Sequence, residues 1–234
     1  MLEIENLSAG YGNQRVLHGV SLSLGDGQLV SVLGPNGHGK TTLLRCISGI
    51  VHPATGHIRL DREEIGRLRI DEIVHRGVVH IPQGDLIFPQ MSVLENLLMG
   101  AYLETNRATT KQRLDQVYAM LPRLRERQHQ IANTLSGGER RMLAIGRGLM
   151  IGGKTLLIDE PSLGLAPLAI DQIYQVLTNL KAEGRSILLV EENASRVAEV
   201  ADVAYLLDDG RIVWQGLAQQ MWDNAELIET YLGA

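Results

Sequence analysis

Eight residues between positions 34 and 41 have the types and the spacing to bind phosphate groups. They read Gly34-Pro35-Asn36-Gly37-His38-Gly39-Lys40-Thr41 and fit the P-loop pattern G-x-x-x-x-G-K-[ST]. Glycines let backbone N–H groups turn inward, and a helix N-terminus adds unpaired donors and a positive dipole end. In this pattern Lys40 reaches the β- and γ-phosphates, and the hydroxyl of Thr41 binds Mg²⁺. The sequence therefore predicts a phosphate-binding loop.

The segments on either side predict the strand and the helix that such a loop requires. Gln28–Leu33 precedes the loop as a short apolar run with β-branched residues, which is typical of a buried strand. Thr42–Ile47 follows it as a helix start with three aliphatic residues on one side. A glycine-rich turn that matched the pattern by chance would not require a strand before it and a helix after it, so the presence of both favours a P-loop. We include Thr42 among the residues expected to contact the phosphates, and we expect the ring of His38 to face solvent.

A second candidate anion site lies at Leu135-Ser136-Gly137-Gly138-Glu139. Ser136 and Glu139 have the spacing of a capping box, so a helix is expected to begin here. A glycine costs a helix roughly 1 kcal/mol relative to alanine, so two in the first turn indicate that a ligand approaches the backbone closely. The alternative is a flexible helix start. The helix is expected to be amphipathic, with Met142, Ile145, Gly146 and Leu149 on one face and Arg140, Arg141 and Arg147 elsewhere.

Two adjacent carboxylates follow another apolar strand, Lys154–Ile158. Asp159 would hold Mg²⁺ beside the P-loop, directly or through water. Glu160 would point to the opposite side if the strand continues, where it would orient or deprotonate an attacking water. Buried strands seldom end in paired acids without a partner charge, which disfavours the alternative of two surface acids.

Polar or aromatic residues occupy three further loops. Gln83 follows the apolar run Gly77–Ile81, and Glu192 follows the apolar run Ser186–Val190. Tyr11 lies between two glycines in the segment 9–13, which is expected to be a loop. Its ring would either pack at the edge of the core or stack on a flat ligand ring, and the sequence alone leaves both open.

The order of these segments predicts an α/β fold with a helical insertion. No strand signal occurs between residues 84 and 153, where a capping box at Ser92 begins one helix and Lys111–Met120 forms another. We therefore expect one domain over 1–234, with 1–83 and 154–234 as its α/β core and 84–153 as a helical subdomain. The tail, 217–232, is expected to be a helix anchored by Met221, Trp222, Leu227, Ile228 and Tyr231.

Composition excludes some functional classes. The net charge of −5 argues against nucleic acid as the main ligand. The single cysteine, Cys46, cannot form an intramolecular disulfide, suits a reducing compartment and is expected to be buried. No leader pattern opens the chain, and no apolar run approaches the roughly 18 residues of a membrane span. We expect a cytoplasmic chain that a partner holds at a membrane.

Taken together, the motifs resemble the nucleotide-binding subunit of an ABC transporter over essentially the whole chain. The joint presence of the P-loop and the LSGGE signature at 135–139 is very specific. Four further segments are similar to the branch that serves uptake of branched-chain amino acids, with urea and short amides as relatives: Phe88–Gly100, Met142–Arg147, Glu160–Pro167 and Tyr231–Gly233. The resemblance implies a P-loop NTPase core with an antiparallel β-subdomain and an inserted helical subdomain that carries the signature.

The same resemblance implies roles for individual residues. Tyr11 would stack on adenine, and Gln83 would contact Mg²⁺ and the attacking water. Ser136, Gly137 and Gly138 would bind the ATP held by an opposite ATPase subunit, so ATP and Mg²⁺ are the implied cofactors and a homo- or heterodimer the implied assembly. Integral membrane permease subunits, and through them an extracellular or periplasmic solute-binding protein, are the other implied partners.

One residue departs from the family pattern. Glu192 stands where most ABC ATPases place a switch histidine, and the amino-acid-uptake branch often has glutamine there. A glutamate that faces the γ-phosphate is repelled unless it is protonated or turned away. We therefore expect a weaker site on this subunit and a different ATPase partner that supplies the histidine. Because of Glu192, the alternative to a hydrolysing subunit is a chain that binds nucleotide as a regulatory module and does not hydrolyse it.

Two other ABC ATPase classes are rivals. A lipopolysaccharide-export ATPase shares much of this pattern and also works with membrane subunits. An ABC ATPase that acts on nucleic acid usually carries coiled-coil arms or two ATPase domains, whereas this chain has one set of motifs and an acidic balance.

Overall fold

The computed structural model describes residues 1–232, and the predicted tail anchors Ile228 and Tyr231 lie outside the side chains it describes. Within these residues ten strands form: β1 (Leu2–Tyr11), β2 (Gln14–Leu24), β3 (Leu29–Leu33), β4 (Thr55–Leu60), β5 (Glu63–Glu64), β6 (Val78–Ile81), β7 (Thr155–Asp159), β8 (Ser186–Glu191), β9 (Val203–Asp208) and β10 (Arg211–Leu217). The same residues form ten α-helices: α1 (Lys40–Ile47), α2 (Ile70–His75), α3 (Val93–Gly100), α4 (Arg107–Met120), α5 (Pro122–Glu126), α6 (Gly137–Ile151), α7 (Pro167–Ala182), α8 (Ala194–Val200), α9 (Ala218–Trp222) and α10 (Ala225–Leu232).

A six-stranded sheet forms the centre, in the order β10-β9-β3-β8-β7-β6. Strands β9, β3, β8, β7 and β6 are parallel, and only the hairpin partner β10 pairs antiparallel in this sheet. Parallel strands need long crossover connections, and these place other elements on both faces of the sheet. The predicted α/β class is confirmed.

The strand before the P-loop is apolar except for Ser31, whose buried hydroxyl donates to the carbonyl oxygen of Leu189 at 3.1 Å. Val30 and Val32 pack in a hydrophobic cluster with Leu43 of α1, on one face of the sheet. Leu29 and Leu33 pack in a second cluster, which holds α3, α6 and α7, on the other face. Because both faces of β3 are buried, the strand has no solvent side on which polar residues would alternate.

A smaller antiparallel sheet, in the order β2-β1-β4-β5, covers the face that carries α1. Here the predicted loop at 9–13 is wrong. Strand β1 continues through Tyr11, which pairs with Gln14 across a two-residue turn at Gly12 and Asn13. The turn uses glycine at φ 56°, a conformation that glycine adopts without steric cost, so the two strands close tightly.

Helices fill the segment between β6 and β7, as the sequence predicts. Helix α3 begins after Ser92, whose side-chain oxygen accepts the backbone N–H of Glu95 at 3.2 Å in a capping box. Helix α4 begins earlier than expected because Asn106 caps it, accepting from the backbone of Ala108 at 2.9 Å. The boundaries of the helical subdomain at 83/84 and 153/154 stay a prediction.

The tail differs from the single predicted helix. It breaks into α9 and α10 at Asp223 and Asn224. Met221 is buried as predicted, but Trp222 is 43% exposed and is not an anchor.

None of the helices within residues 1–232 is both long enough and apolar enough to cross a lipid bilayer.

Helices α3 and α6 cross at a glycine, and this contact yields a stability prediction. A Cβ at Gly100 would lie 2.0 Å from the carbonyl oxygen of Arg147, a backbone atom that cannot rotate away. We expect Gly100→Ala to lower the free energy of unfolding by about 1–3 kcal/mol, because the two helices must separate. Urea unfolding followed by circular dichroism at 222 nm measures this.

Gly137→Ala is the matched control, since a Cβ there meets no atom closer than 3.8 Å. It is expected to keep or raise stability because alanine is the better helix former. Equal unfolding midpoints for the two variants would contradict the packing argument.

Candidate nucleotide-binding site

The P-loop connects β3 to α1 through a backbone that only glycine fits at two points. At Gly34 φ is 154°, and a Cβ would lie 2.0 Å from the carbonyl oxygen of Leu207 on β9. Gly39, at φ 106°, is the N-cap of α1, and no side chain within residues 1–232 caps that start. The first-turn N–H groups of α1 therefore stay available to a ligand at the helix N-terminus.

Lys40 folds back over the loop and is 3% exposed. Its ammonium donates to the carbonyl oxygens of Gly34 at 2.8 Å and Pro35 at 3.1 Å. It also lies 3.2 Å from Oε1 of Glu160 and 3.5 Å from Oε1 of Glu192. One cation thus joins the loop to carboxylates that follow two other strands.

Asp159, the last residue of β7, faces the same loop. Its Oδ1 accepts a hydrogen bond from the Thr41 hydroxyl at 3.2 Å. Its Oδ2 is buried and has no hydrogen-bond partner within residues 1–232. Burial raises the pKa of this carboxyl, an effect that the Thr41 hydrogen bond opposes and the charge of Glu160 reinforces. A cation at Oδ2 would relieve that cost.

Glu160 and Gln83 meet across two strand ends. The Gln83 side-chain amide donates to Oε2 of Glu160 at 2.8 Å. The expectation that Glu160 points to the opposite side from Asp159 is wrong, because β7 does not continue. Glu160 instead has φ 42°, a strained value for a residue with a side chain, and this corner turns its carboxylate towards Lys40.

The ring of His38 does not simply face solvent, contrary to expectation. Its Nδ1 lies 2.8 Å from Oδ1 of Asp208 and 3.0 Å from the backbone nitrogen of Asp209. The backbone N–H of Gly210 also donates to the His38 carbonyl at 3.1 Å. The turn between β9 and β10 therefore braces the outer side of the P-loop.

Tyr11 is 45% exposed and lies over the first turns of α1. Its hydroxyl lies 3.5 Å from the Thr42 hydroxyl and accepts from the Arg45 guanidinium at 3.0 Å. Of the two alternatives for this ring, a fully packed core position is therefore excluded. The ring is open to solvent at the P-loop, where a flat ligand ring would reach it.

Glu191, the last residue of β8, and Glu192, which follows it, have different surroundings. Glu191 is buried and accepts the backbone N–H groups of Ser162 and Glu192, both at 3.2 Å. Burial raises the pKa of its carboxyl. Glu192 is partly exposed and its Oε1 lies 3.5 Å from the Lys40 ammonium, so its carboxylate faces the P-loop.

The signature segment forms the capped helix start that the sequence predicts. Ser136 accepts the backbone N–H of Glu139 at 3.3 Å, and the Glu139 carboxylate accepts from the Ser136 backbone at 2.9 Å. A Cβ at Gly138 would lie 2.7 Å from Cβ of Ala169 on α7, so this glycine is also needed for packing. Within residues 1–232, no hydrogen bond or ion pair joins residues 136–138 to the P-loop.

The arginines of α6 all contact neighbouring segments of the chain. Arg140 pairs with Asp85, and the guanidinium of Arg147 lies 5.0 Å from the ring centre of Phe88. Arg141 is 2% exposed and was missed as a functional candidate. The helical periodicity could have predicted its burial, because Arg141 lies one turn before the buried Ile145 and therefore on the same face of α6.

Comparison with known proteins agrees with this geometry. The ABC transporter family model matches residues 17–163. The chain is 41% identical to the high-affinity branched-chain amino acid transport ATP-binding protein BraG of Pseudomonas aeruginosa, with all of both chains covered. It is 33% identical to the lipopolysaccharide export system ATP-binding protein LptB of Acidithiobacillus ferridurans, covering 100% of this chain and 97% of the relative.

A solved structure shows the same fold. A nucleotide-free ATP-binding cassette from an ABC transporter superposes with a TM-score of 0.87 at 27% identity, covering 98% of this chain and 97% of that one. The P-loop, the acidic end of β7 and the capped LSGGE helix thus occur in a fold and a sequence that both match, and the chain belongs to the ABC transporter family.

Proposed function

We propose that this chain binds and hydrolyses ATP and thereby powers an ABC transporter that imports branched-chain amino acids or related small solutes such as urea and amides. One observation carries the proposal: Lys40 and Thr41 of the P-loop contact Glu160 and Asp159, and Gln83 contacts Glu160. These residues combine a phosphate-binding loop, a cation-binding carboxylate and a group that can act on water.

The residues fit Mg²⁺ as a cofactor. The unpartnered Oδ2 of Asp159, the Thr41 hydroxyl and the amide oxygen of Gln83 offer the oxygen ligands that Mg²⁺ prefers. A bound Mg²⁺ would supply neutralisation of charge on the phosphates. Asp159 and Thr41 would hold the metal ion beside the phosphates, and the backbone N–H groups of the P-loop would bind the phosphates themselves.

The contacts of Lys40 suggest how binding prepares Glu160. In the structure the Lys40 ammonium contacts two carbonyl groups and two carboxylates. The β- and γ-phosphates of ATP give it stronger anionic partners, so the Glu160 carboxylate is released to accept a proton from water or to orient it. Gln83 holds the other oxygen of Glu160 in place during this change.

The start of the signature helix supports the proposed assembly. Ser136, Gly137 and Gly138 offer a capped helix start that, in the described part of the chain, makes no hydrogen bond to the chain's own P-loop. We place them on the ATP of a second ATPase subunit, in a homo- or heterodimer, and the ring of Tyr11 on the adenine of this chain's own ATP. The helix start and its glycines allow close approach of a phosphate.

A groove of about 750 Å³ lies beside α3 and would receive a segment of the permease. Its walls include the exposed apolar side chains Leu86, Phe88, Met99, Tyr102 and Leu103. Permease subunits docked here would hold the chain on the cytoplasmic face of the membrane and connect it indirectly to a solute-binding protein. Exposed apolar patches of this kind are typical of interaction sites.

The 41% identity to BraG favours amino-acid-type uptake, while the 33% identity to LptB over nearly the same length keeps lipopolysaccharide export as the second candidate. Mass spectrometry of the membrane subunits that co-purify with the tagged chain separates the two. Permeases of an amino-acid or amide importer support the proposal, and lipopolysaccharide-export subunits overturn its solute class.

Replacing the P-loop lysine tests nucleotide binding. We expect Lys40→Ala to weaken ATP binding at least about 100-fold, because charged hydrogen bonds to the phosphates are lost. Isothermal titration calorimetry measures the Kd. Lys154→Ala is the control, since Lys154 is exposed and its ion pair is with Asp26 at 3.5 Å, away from the P-loop. Equal Kd values for the two variants would exclude Lys40 from the site.

Replacing Glu160 tests hydrolysis separately from binding. We expect Glu160→Gln to keep ATP affinity and to lower kcat about 10²- to 10⁴-fold, since the amide cannot accept the proton of water. It should also accumulate as an ATP-bound dimer in size-exclusion chromatography. Glu183→Gln, at the exposed end of α7, is the control. Normal turnover by Glu160→Gln would remove this residue from the mechanism.

Replacing Glu192 tests the proposed weakness of this subunit's site. We expect low ATP turnover by the chain alone and a severalfold increase in Glu192→His, because the carboxylate beside Lys40 repels the γ-phosphate. Glu199→His, which removes the same charge on α8 away from Lys40, should leave turnover unchanged. Normal transporter rates that Glu192→His does not alter would show the idea to be wrong.

A further inference from the structure

A buried arginine of the signature helix contacts the backbone of two other loops. The guanidinium of Arg141 donates to the carbonyl oxygens of Asp159 at 2.7 Å, Pro161 at 3.2 Å and Pro82 at 2.9 Å. A fourth hydrogen bond goes to the carbonyl oxygen of Gly84. All four acceptors are main-chain groups, so the contacts fix backbone positions rather than side chains.

The four acceptors have a specific arrangement in the sequence. Pro82 and Gly84 flank Gln83, and Asp159 and Pro161 flank Glu160. Arg141 therefore holds the residue before and the residue after each member of the pair whose side chains meet at 2.8 Å. A planar guanidinium with five donors in a fixed geometry can set the spacing and the angle of two such corners, which a flexible ammonium cannot.

The corner at Glu160 needs external support. Its φ of 42° is unfavourable for a residue with a side chain and persists only where the surroundings over-determine it. The Glu160 backbone N–H donates to the carbonyl oxygen of Val190 at 2.9 Å, and the buried Glu191 accepts the N–H of Ser162. These contacts hold the nitrogen atoms of the corner, and Arg141 holds its carbonyl groups.

The burial of Arg141 argues against a purely stabilising role. Burial lowers the pKa of the guanidinium from its ordinary value, and nearby carboxylates, Asp85 and Asp159 first, oppose this. Within residues 1–232, no carboxylate forms a direct ion pair with it. A buried charge of this kind is costly, and an apolar residue of similar volume often stabilises a core as well or better.

We propose that Arg141 is a positioning residue for ATP hydrolysis, which fixes Gln83 and Glu160 relative to each other so that both address one water molecule. The proposal rests on the proposed function and adds a residue of the signature helix to this chain's own site. It also couples both loops to α6, because the guanidinium that binds them is attached to that helix.

The test compares Arg141 with another arginine that binds the same helix. Arg113 donates to the carbonyl oxygens of Met150 and Ile151, at the opposite end of α6, and pairs with Glu104 at 3.1 Å. Steady-state ATPase assays on Arg141→Gln and Arg113→Gln would be run with the full chain and with its ATPase partner present. Thermal unfolding of each variant reports general destabilisation.

We expect Arg141→Gln to lower kcat about 10- to 100-fold, because misplacement of reacting groups by about 1 Å has an effect of this size, while KM stays within about threefold. Arg141→Lys should recover part of kcat, and Arg113→Gln should match the unmodified chain. A kcat for Arg141→Gln equal to that of Arg113→Gln, or parallel loss of thermal stability and kcat in both variants, overturns the proposal.

Amide hydrogen exchange tests the same idea without turnover. Residues 83–84 and 160–162 should exchange faster in Arg141→Gln than in Arg113→Gln, and unchanged exchange there overturns the proposal. An unmodified chain that fails to hydrolyse ATP even with its ATPase partner would refute the proposed function instead, and the exchange data would still decide whether Arg141 holds the two loops.

Discussion

Parallel pairing of β3, β8, β7 and β6 is the constraint on which the candidate site depends. Leu33 pairs with Glu191, Asp159 with Val190, and Ile81 with Ile158, so these strands end at the same edge of the sheet. That edge therefore brings together the P-loop, Gln83 and the acidic residues at the ends of β7 and β8, namely Asp159, Glu160, Glu191 and Glu192. A slip of one residue in any pair would turn its side chains to the other face and separate the carboxylates from Lys40.

Charge is unevenly distributed in the site. Asp159, Glu160 and Glu192 surround the P-loop, whereas Lys40 is the ammonium that contacts two of them. An anionic nucleotide entering this group needs more positive charge than one lysine provides. The helix N-terminus and a divalent cation are the two sources that the proposed function invokes.

Local signals were readable from the sequence, and tertiary contacts were not. The P-loop and both capping boxes are set by residues within a few positions of each other, so the sequence predicts them correctly. The direction of Glu160 depends on where β7 stops, and the hydrogen bonds of Arg141 go to backbone groups 18 to 59 residues away. The spacing of residues along the chain does not predict contacts between segments that are far apart in sequence. The roles of the individual site residues remain predictions for the same reason.

The close crossing of α3 and α6 at Gly100 has a mechanical consequence. The backbone of Gly100 lies directly against the backbone of Arg147, and no flexible side chain separates the two helices there. A displacement of α3 is therefore passed directly to α6, because a close-packed contact transmits strain. Helix α3 lines the groove proposed for the permease, and α6 carries the signature at its first turn and Arg141 in its second. Under the proposed function, a force applied at the groove would therefore pass through these two helices to the ATP of a partner subunit and to Gln83 and Glu160 of this chain.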